Sequence, residues 1–107
     1  GRIEEANANY KEAISLYRLS TLDDPTAIDA YLYRSMCLKE LEKYDEALEM
    51  LEFIENLNNK VAEIYTLRAD IYNITNRQTL AKEELEKAYV IKPELRKAFE
   101  NEEGGEA

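Results

Sequence analysis

Three copies of an Ala-x-x-x-(Tyr/Leu) pattern stand 34 residues apart along this chain, at Ala13/Tyr17, Ala47/Leu51 and Ala81/Leu85. The same step carries Tyr10 to Tyr44, Tyr31 to Tyr65 and Arg34 to Arg68, and Pro25 and Pro93 share its register. A fixed period of roughly 20 to 50 residues means that one supersecondary unit is repeated and buries its apolar face against its own copies. The recurrence therefore limits the chain to a repeat architecture before any ligand is considered.

Within each period the apolar spacing is helical. Tyr10, Ala13, Ile14 and Tyr17 follow the i, i+3, i+4, i+7 rule of an amphipathic helix. Asp24-Pro25 supplies an N-cap and a proline at the start of the next helix. That helix is predicted from about Thr26 to Leu41, with Ala30, Tyr31, Cys37, Leu38 and Leu41 inside, and Glu42-Lys43 is predicted to turn it. A partner helix is predicted from Tyr44 to Leu57. The cycle then repeats, with helices over Val61 to Thr75 and Gln78 to Ile91 around a turn at Asn76-Arg77. Pro93 opens a last helix, with Leu95, Ala98 and Phe99 on one face and Gly104-Gly105 at its end. No segment alternates with a period of two, so strands are not expected. Loops of two to four residues inside each pair require antiparallel neighbours.

Charge and composition narrow the function. The 107 residues carry 23 acids and 14 bases, a net charge of −9. Such a surface repels phosphate backbones and anionic headgroups, so no nucleic-acid partner and no membrane insertion is expected. No apolar stretch approaches the roughly 20 residues a membrane-spanning helix needs. Histidine is absent, which removes imidazole-based acid–base chemistry and imidazole metal sites. The three glycines are all near the ends, so no phosphate-cradling loop exists. Cys37 is the single cysteine, read as a small buried hydrophobe in a cytoplasmic or other reducing compartment. The sequon Asn73-Ile74-Thr75 falls in a predicted helix and is read as a chance match. No cofactor, no metal and no enzymatic activity are expected.

The residues at these positions resemble the tetratricopeptide repeat (TPR) pattern: an aromatic, then Leu-Gly, then Tyr, later Ala-x-x-x-Phe, then Pro. One copy reads Tyr31, Arg34-Ser35, Leu38, Ala47, Leu51 and Asn59; the next reads Tyr65, Arg68-Ala69, Tyr72, Ala81, Leu85 and Pro93. Small residues at Ser35, Ala69, Ala13, Ala47 and Ala81 let paired helices approach closely, and large residues a turn away fill the space beside them. Arg34 and Arg68 stand where the pattern has Leu, Ser20 where it has Ala, and Asn59 where it has Pro. Both arginines are expected to lay their stems along the core and keep their charge at its edge.

The resemblance implies an all-α fold, a right-handed solenoid of antiparallel helix pairs with about two and a half repeats and a C-terminal capping helix. As one TPR domain over 1–103, the chain would comprise a partial repeat at 1–27, repeats at 28–61 and 62–95, and a cap or the start of a further repeat at 96–103. Residues 104–107 would be a tail.

The resemblance also implies a non-enzymatic module whose first helices line a concave groove for a peptide or partner helix. Carried onto this chain, the groove residues are Asp29, Leu32, Tyr33, Met36, Lys39 and Glu40 from one helix. The next helix offers Glu63, Thr66, Leu67, Asp70, Asn73 and Ile74. Leu32, Tyr33, Met36, Leu67 and Ile74 would form an apolar stripe flanked by Asp29, Glu63 and Asp70, suited to an apolar or apolar-plus-basic segment of another protein. The five-residue basic clamp for acidic Hsp70 and Hsp90 tails does not carry over. Its second, third, fourth and fifth positions fall on Arg2, Tyr33, Glu63 and Leu67, and the first precedes Gly1. A structural scaffold, or a homo-oligomer formed through the incomplete N-terminal repeat, is the alternative.

Overall fold

The computed structural model describes residues 8–15 and 27–104, the last five as backbone alone. Tyr17, Ser20, the Asp24-Pro25 helix start, the N-terminal residues 2–7 and the tail after Gly104 lie outside the described residues. Every described element is helical: a segment over 8–15, then α1 (Ile28–Glu40), α2 (Tyr44–Leu57), α3 (Ala62–Ile74), α4 (Gln78–Ile91) and α5 (Glu94–Gly104). The chain divides into two compact units, Gly1–Asn59 and Lys60–Ala107. In the first, α1 packs on α2; in the second, α3 packs on α4, and α5 leans on α4.

The tight turns that make these pairs have one shared device. Two residues past each first helix stands a residue with positive φ, Glu42 at 62° and Asn76 at 65°, one period apart. The amide of Lys43 then donates back to the Leu38 carbonyl at 2.9 Å, and that of Glu42 to the Lys39 carbonyl at 2.9 Å. The second turn matches, with Arg77 donating to Tyr72 at 2.6 Å and Asn76 to Asn73 at 3.1 Å. These bonds satisfy carbonyls that a helix end otherwise leaves open. The carbonyls of Lys43 and Arg77 at once accept the amides of Ala47 and Ala81, so the return helix starts without a linker. Asparagine tolerates the left-handed conformation, whereas glutamate adopts it at a cost. Glu42→Gly is therefore expected to raise stability by about 1 kcal/mol in urea denaturation, and Asn76→Gly to change it less.

The crossings are built on small residues, as the pattern requires. Ala47, Ala81, Ala69 and Ser35 are buried, and Ser35 returns its hydroxyl to the Tyr31 carbonyl at 3.0 Å. Leu51 and Ile54 fill the interior of the first unit, and Ile64 and Ile71 that of the second. Tyr31 and Tyr65 are buried at equivalent positions. Ala98, placed on the inner face of the last helix by its spacing, is exposed instead, while Leu95 and Phe99 are half-buried. A short helix that touches α4 alone has room to bury only its two largest apolar residues.

Cys37 is buried, and burial, with the nearby Glu40 carboxylate adding to it, pushes its thiol above the usual range. Less thiolate at neutral pH means slow alkylation. Native chain at pH 8 is expected to react with iodoacetamide far more slowly than chain in 6 M guanidinium, about the concentration that unfolds even very stable domains. Equal rates would place the thiol at the surface.

Candidate functional site

In the first unit, α1 presents Asp29, Tyr33, Met36 and Glu40 on one exposed face, at i, i+4, i+7 and i+11. Tyr33 is 48% exposed and Met36 41%, in the middle of that face, with a carboxylate at each end. Lys39 lies beside Glu40, with its Nζ 3.6 Å from the carboxylate, and most of its side chain is covered. Leu32, expected in the apolar stripe, is 7% exposed and belongs to the core of its helix instead. It neighbours Ala30, Tyr31 and Ser35 in sequence, all buried, so its side of α1 is the packed one.

In the second unit, the equivalent face of α3 carries Glu63, Leu67, Asp70 and Ile74, each one period after its counterpart. Glu63, Asp70 and Ile74 are exposed, Ile74 by 50%, and Leu67 is half-buried. Glu63 receives Lys92 at 3.3 Å in a surface pair of little energetic weight. Along the edge of this face, Thr66, Asp70 and Asn73 border a cavity of about 440 Å³. Ala69, Ala81 and Leu85 form its apolar floor, and Tyr89, Arg96 and Phe99 close it from α4 and α5. Arg96 lies 4.6 Å over the Tyr89 ring and is paired with Glu86, and Phe99 tilts against the same ring at 6.2 Å. The family resemblance singled out the three α3 residues. The contributions of α4 and α5 depend on how α5 leans on α4, which no local pattern encodes.

The arginine expectation needs correction at Arg68. Its guanidinium is not held at an edge but paired with Glu84 at 2.9 Å, the two side chains being 11% and 7% exposed. Lys87 adds a second contact to Glu84 at 2.9 Å, and both cations stand over the Tyr65 ring, at 5.7 and 6.0 Å. A carboxylate taken out of water needs this kind of saturation. In the first unit the positions of Glu84 and Lys87 are Met50 and Phe53, and Phe53 meets Tyr31 edge-on at 4.9 Å. Arg34 there lies 5.9 Å from the Tyr31 ring.

Among the described residues, no group of three or more acidic, cysteine or histidine side chains could hold a metal ion. No described helix is long and apolar enough to cross a membrane.

Comparison with known proteins agrees with the helix-pair geometry. The aryl-hydrocarbon-interacting protein-like 1 of Bos taurus is 31% identical over 95% of this chain, and that of Saimiri boliviensis boliviensis is 29% identical over the same share. The chain spans about a third of the length of these relatives, 34% and 30% respectively. Among solved structures, MamA MSR-1 superposes with a TM-score of 0.72 at 16% identity, covering 86% of this chain and 52% of that one. A mutant form of MamA gives 0.66 at 19% identity, covering 83% and 51%. At these identities the likeness establishes the fold alone. The tetratricopeptide repeat family model matches residues 62–95, one whole period containing α3 and α4. By this match residues 62–95 are a tetratricopeptide repeat, and the same turn and crossing devices are present one period earlier.

Proposed function

We propose that the chain is a non-enzymatic protein-interaction module that holds an apolar or apolar-plus-basic peptide or helix of a partner protein on its first-helix faces. The observation that carries this reading is the recurrence of one exposed face at equivalent positions in both units. Tyr33 and Met36 in one, and Leu67 and Ile74 in the other, interrupt surfaces that acids otherwise dominate. Exposed apolar side chains on these faces, Tyr33, Met36 and Ile74, serve no core of their own unit. The acids beside them favour Lys or Arg in the ligand and disfavour an acidic tail, such as those of the Hsp70 and Hsp90 chaperones. The buried reduced thiol suits a reducing compartment.

A binding screen on an array of immobilised peptides tests this directly. Peptides with one or two large apolar residues beside Lys or Arg are expected to be retained, and those ending in acidic runs are not. Retention of the acidic class alone would reverse the proposed chemistry. A second reading, a structural scaffold or oligomerisation segment within a longer array, draws on Val90, an apolar side chain 81% exposed on α4. Concentration-dependent association of the chain with itself, lost in Val90→Lys, would favour it.

A further inference from the structure

We propose that the α2 face carrying Met50, Phe53 and Leu57 is a second docking surface, one that takes a basic amphipathic segment of another protein. It lies on a second helix, so it is separate from the first-helix faces described above. Phe53 and Leu57 are 44% and 43% exposed, one helical turn apart, and Met50 is half-buried beside them. Scattered apolar side chains at a surface are ordinary, but these follow one another along the helix, and Met50 and Phe53 open onto a cavity. That cavity has a volume of about 390 Å³, and Ile14, Leu38, Met50 and Phe53 are its apolar lining among the described residues.

The repeat itself supplies an internal control. At the positions equivalent to Met50 and Phe53 the second unit has Glu84 and Lys87, which spend their charges on Arg68 and on each other, while Leu57 corresponds to the half-buried Ile91. That location is polar and satisfied from within its own unit. In the first unit the same location is apolar and open to solvent, although one period of the sequence separates them. An apolar surface of this kind gains free energy only when something covers it.

The charge around the cavity identifies the occupant. Asp45, Glu46, Glu49, Glu52 and Glu55 place five acids on α2, which has no base at all. Glu46 and Glu49 themselves line the cavity, with Arg34 as the single cation among its described lining residues. A second copy of this chain, at a net charge of −9, would bring like charge to this face. A segment with large apolar residues at helical spacing and Lys or Arg along its flanks complements both the cavity and its rim.

The test is a titration of the ¹⁵N-labelled chain, followed by amide shifts, with an amidated probe peptide carrying Leu at i, i+3, i+4 and i+7 and Lys between. Saturable shifts are expected at α2 amides from Glu46 to Leu57. Phe53→Glu should weaken binding at least tenfold. So should Glu46→Lys combined with Glu49→Lys, a change confined to exposed positions that leaves the Tyr31–Phe53 contact in place. Tyr33→Ala should leave the α2 shifts unchanged, which separates this surface from the first-helix faces. A control peptide with Ser for Leu should bind at least tenfold more weakly. The proposal is overturned if the Ser control binds equally, if shifts fall only around Tyr33 or Leu67, or if no saturable shift occurs at millimolar peptide. It is also overturned if the chain alone dimerises through this face, seen as a sedimenting dimer that Phe53→Glu dissociates.

Discussion

Glu84→Met is expected to cost about 3 kcal/mol of unfolding free energy, because it breaks a covered ion pair by removing the carboxylate 2.9 Å from the Arg68 guanidinium. Lys87 contributes little to that loss, since its side chain is 53% exposed and water can replace the contact. Adding Arg68→Leu should restore most of the stability. Leucine is the residue the family pattern has there, and an apolar pair of similar volume avoids the desolvation that both charges incur. Arg68→Leu alone should be destabilising too, because it leaves Glu84 buried beside a single cation. Urea denaturation of the two single variants and the double variant forms a closed cycle, and a coupling near zero would mean that the pair carries no structural weight.

Tyr33→Ala and Leu67→Glu are each expected to weaken binding of an apolar-plus-basic partner by about 2 kcal/mol, roughly thirtyfold. The effect should come from lost apolar contact, so it should persist as salt rises to physiological strength, where exposed ion pairs fade. Lys39→Ala should change affinity little, since its ammonium is already engaged with Glu40 and its stem is covered. The unfolding midpoint should move little in Tyr33→Ala, because nearly half of that side chain is in water. Isothermal titration of wild type and variants at low and physiological salt measures the affinities, and thermal denaturation the midpoints. Equal affinities across the set would move the interaction away from the first helices.

The repeat made the helices legible. The second helices run over Tyr44–Leu57 and Gln78–Ile91, the spans that their spacing predicts. The turns at Glu42 and Asn76 fall where the period puts them, because Ala-based crossings admit a single register. Ends were less legible: α1 begins at Ile28 and not at Thr26, with Ala27 as its cap and no side chain bonding to it.

What the sequence could not show are relations across a helix pair. Arg68 and Glu84 are 16 residues apart and meet only because the hairpin closes. Glu84 sits among Glu83 and Glu86, where nothing local distinguishes the buried carboxylate from the solvated ones. Leu32 shows the opposite failure. The family resemblance places it in the groove beside Tyr33 and Met36, but a difference of one residue rotates a side chain by about 100° and here carries it into the core. The exposed Phe53 and Leu57 stripe was readable from its i, i+4 spacing. The repeat pattern assigns binding positions to the first helices alone and is silent on this stripe.

Photo-crosslinking tests the central claim most directly. A benzophenone side chain is placed singly at positions 33, 67, 53 and 90, and each chain is irradiated with a captured partner. Interaction through the first-helix faces predicts strong adducts from positions 33 and 67 that an excess of apolar-plus-basic peptide suppresses, and none from position 90. Adducts from position 90 alone, with positions 33 and 67 silent, would contradict it.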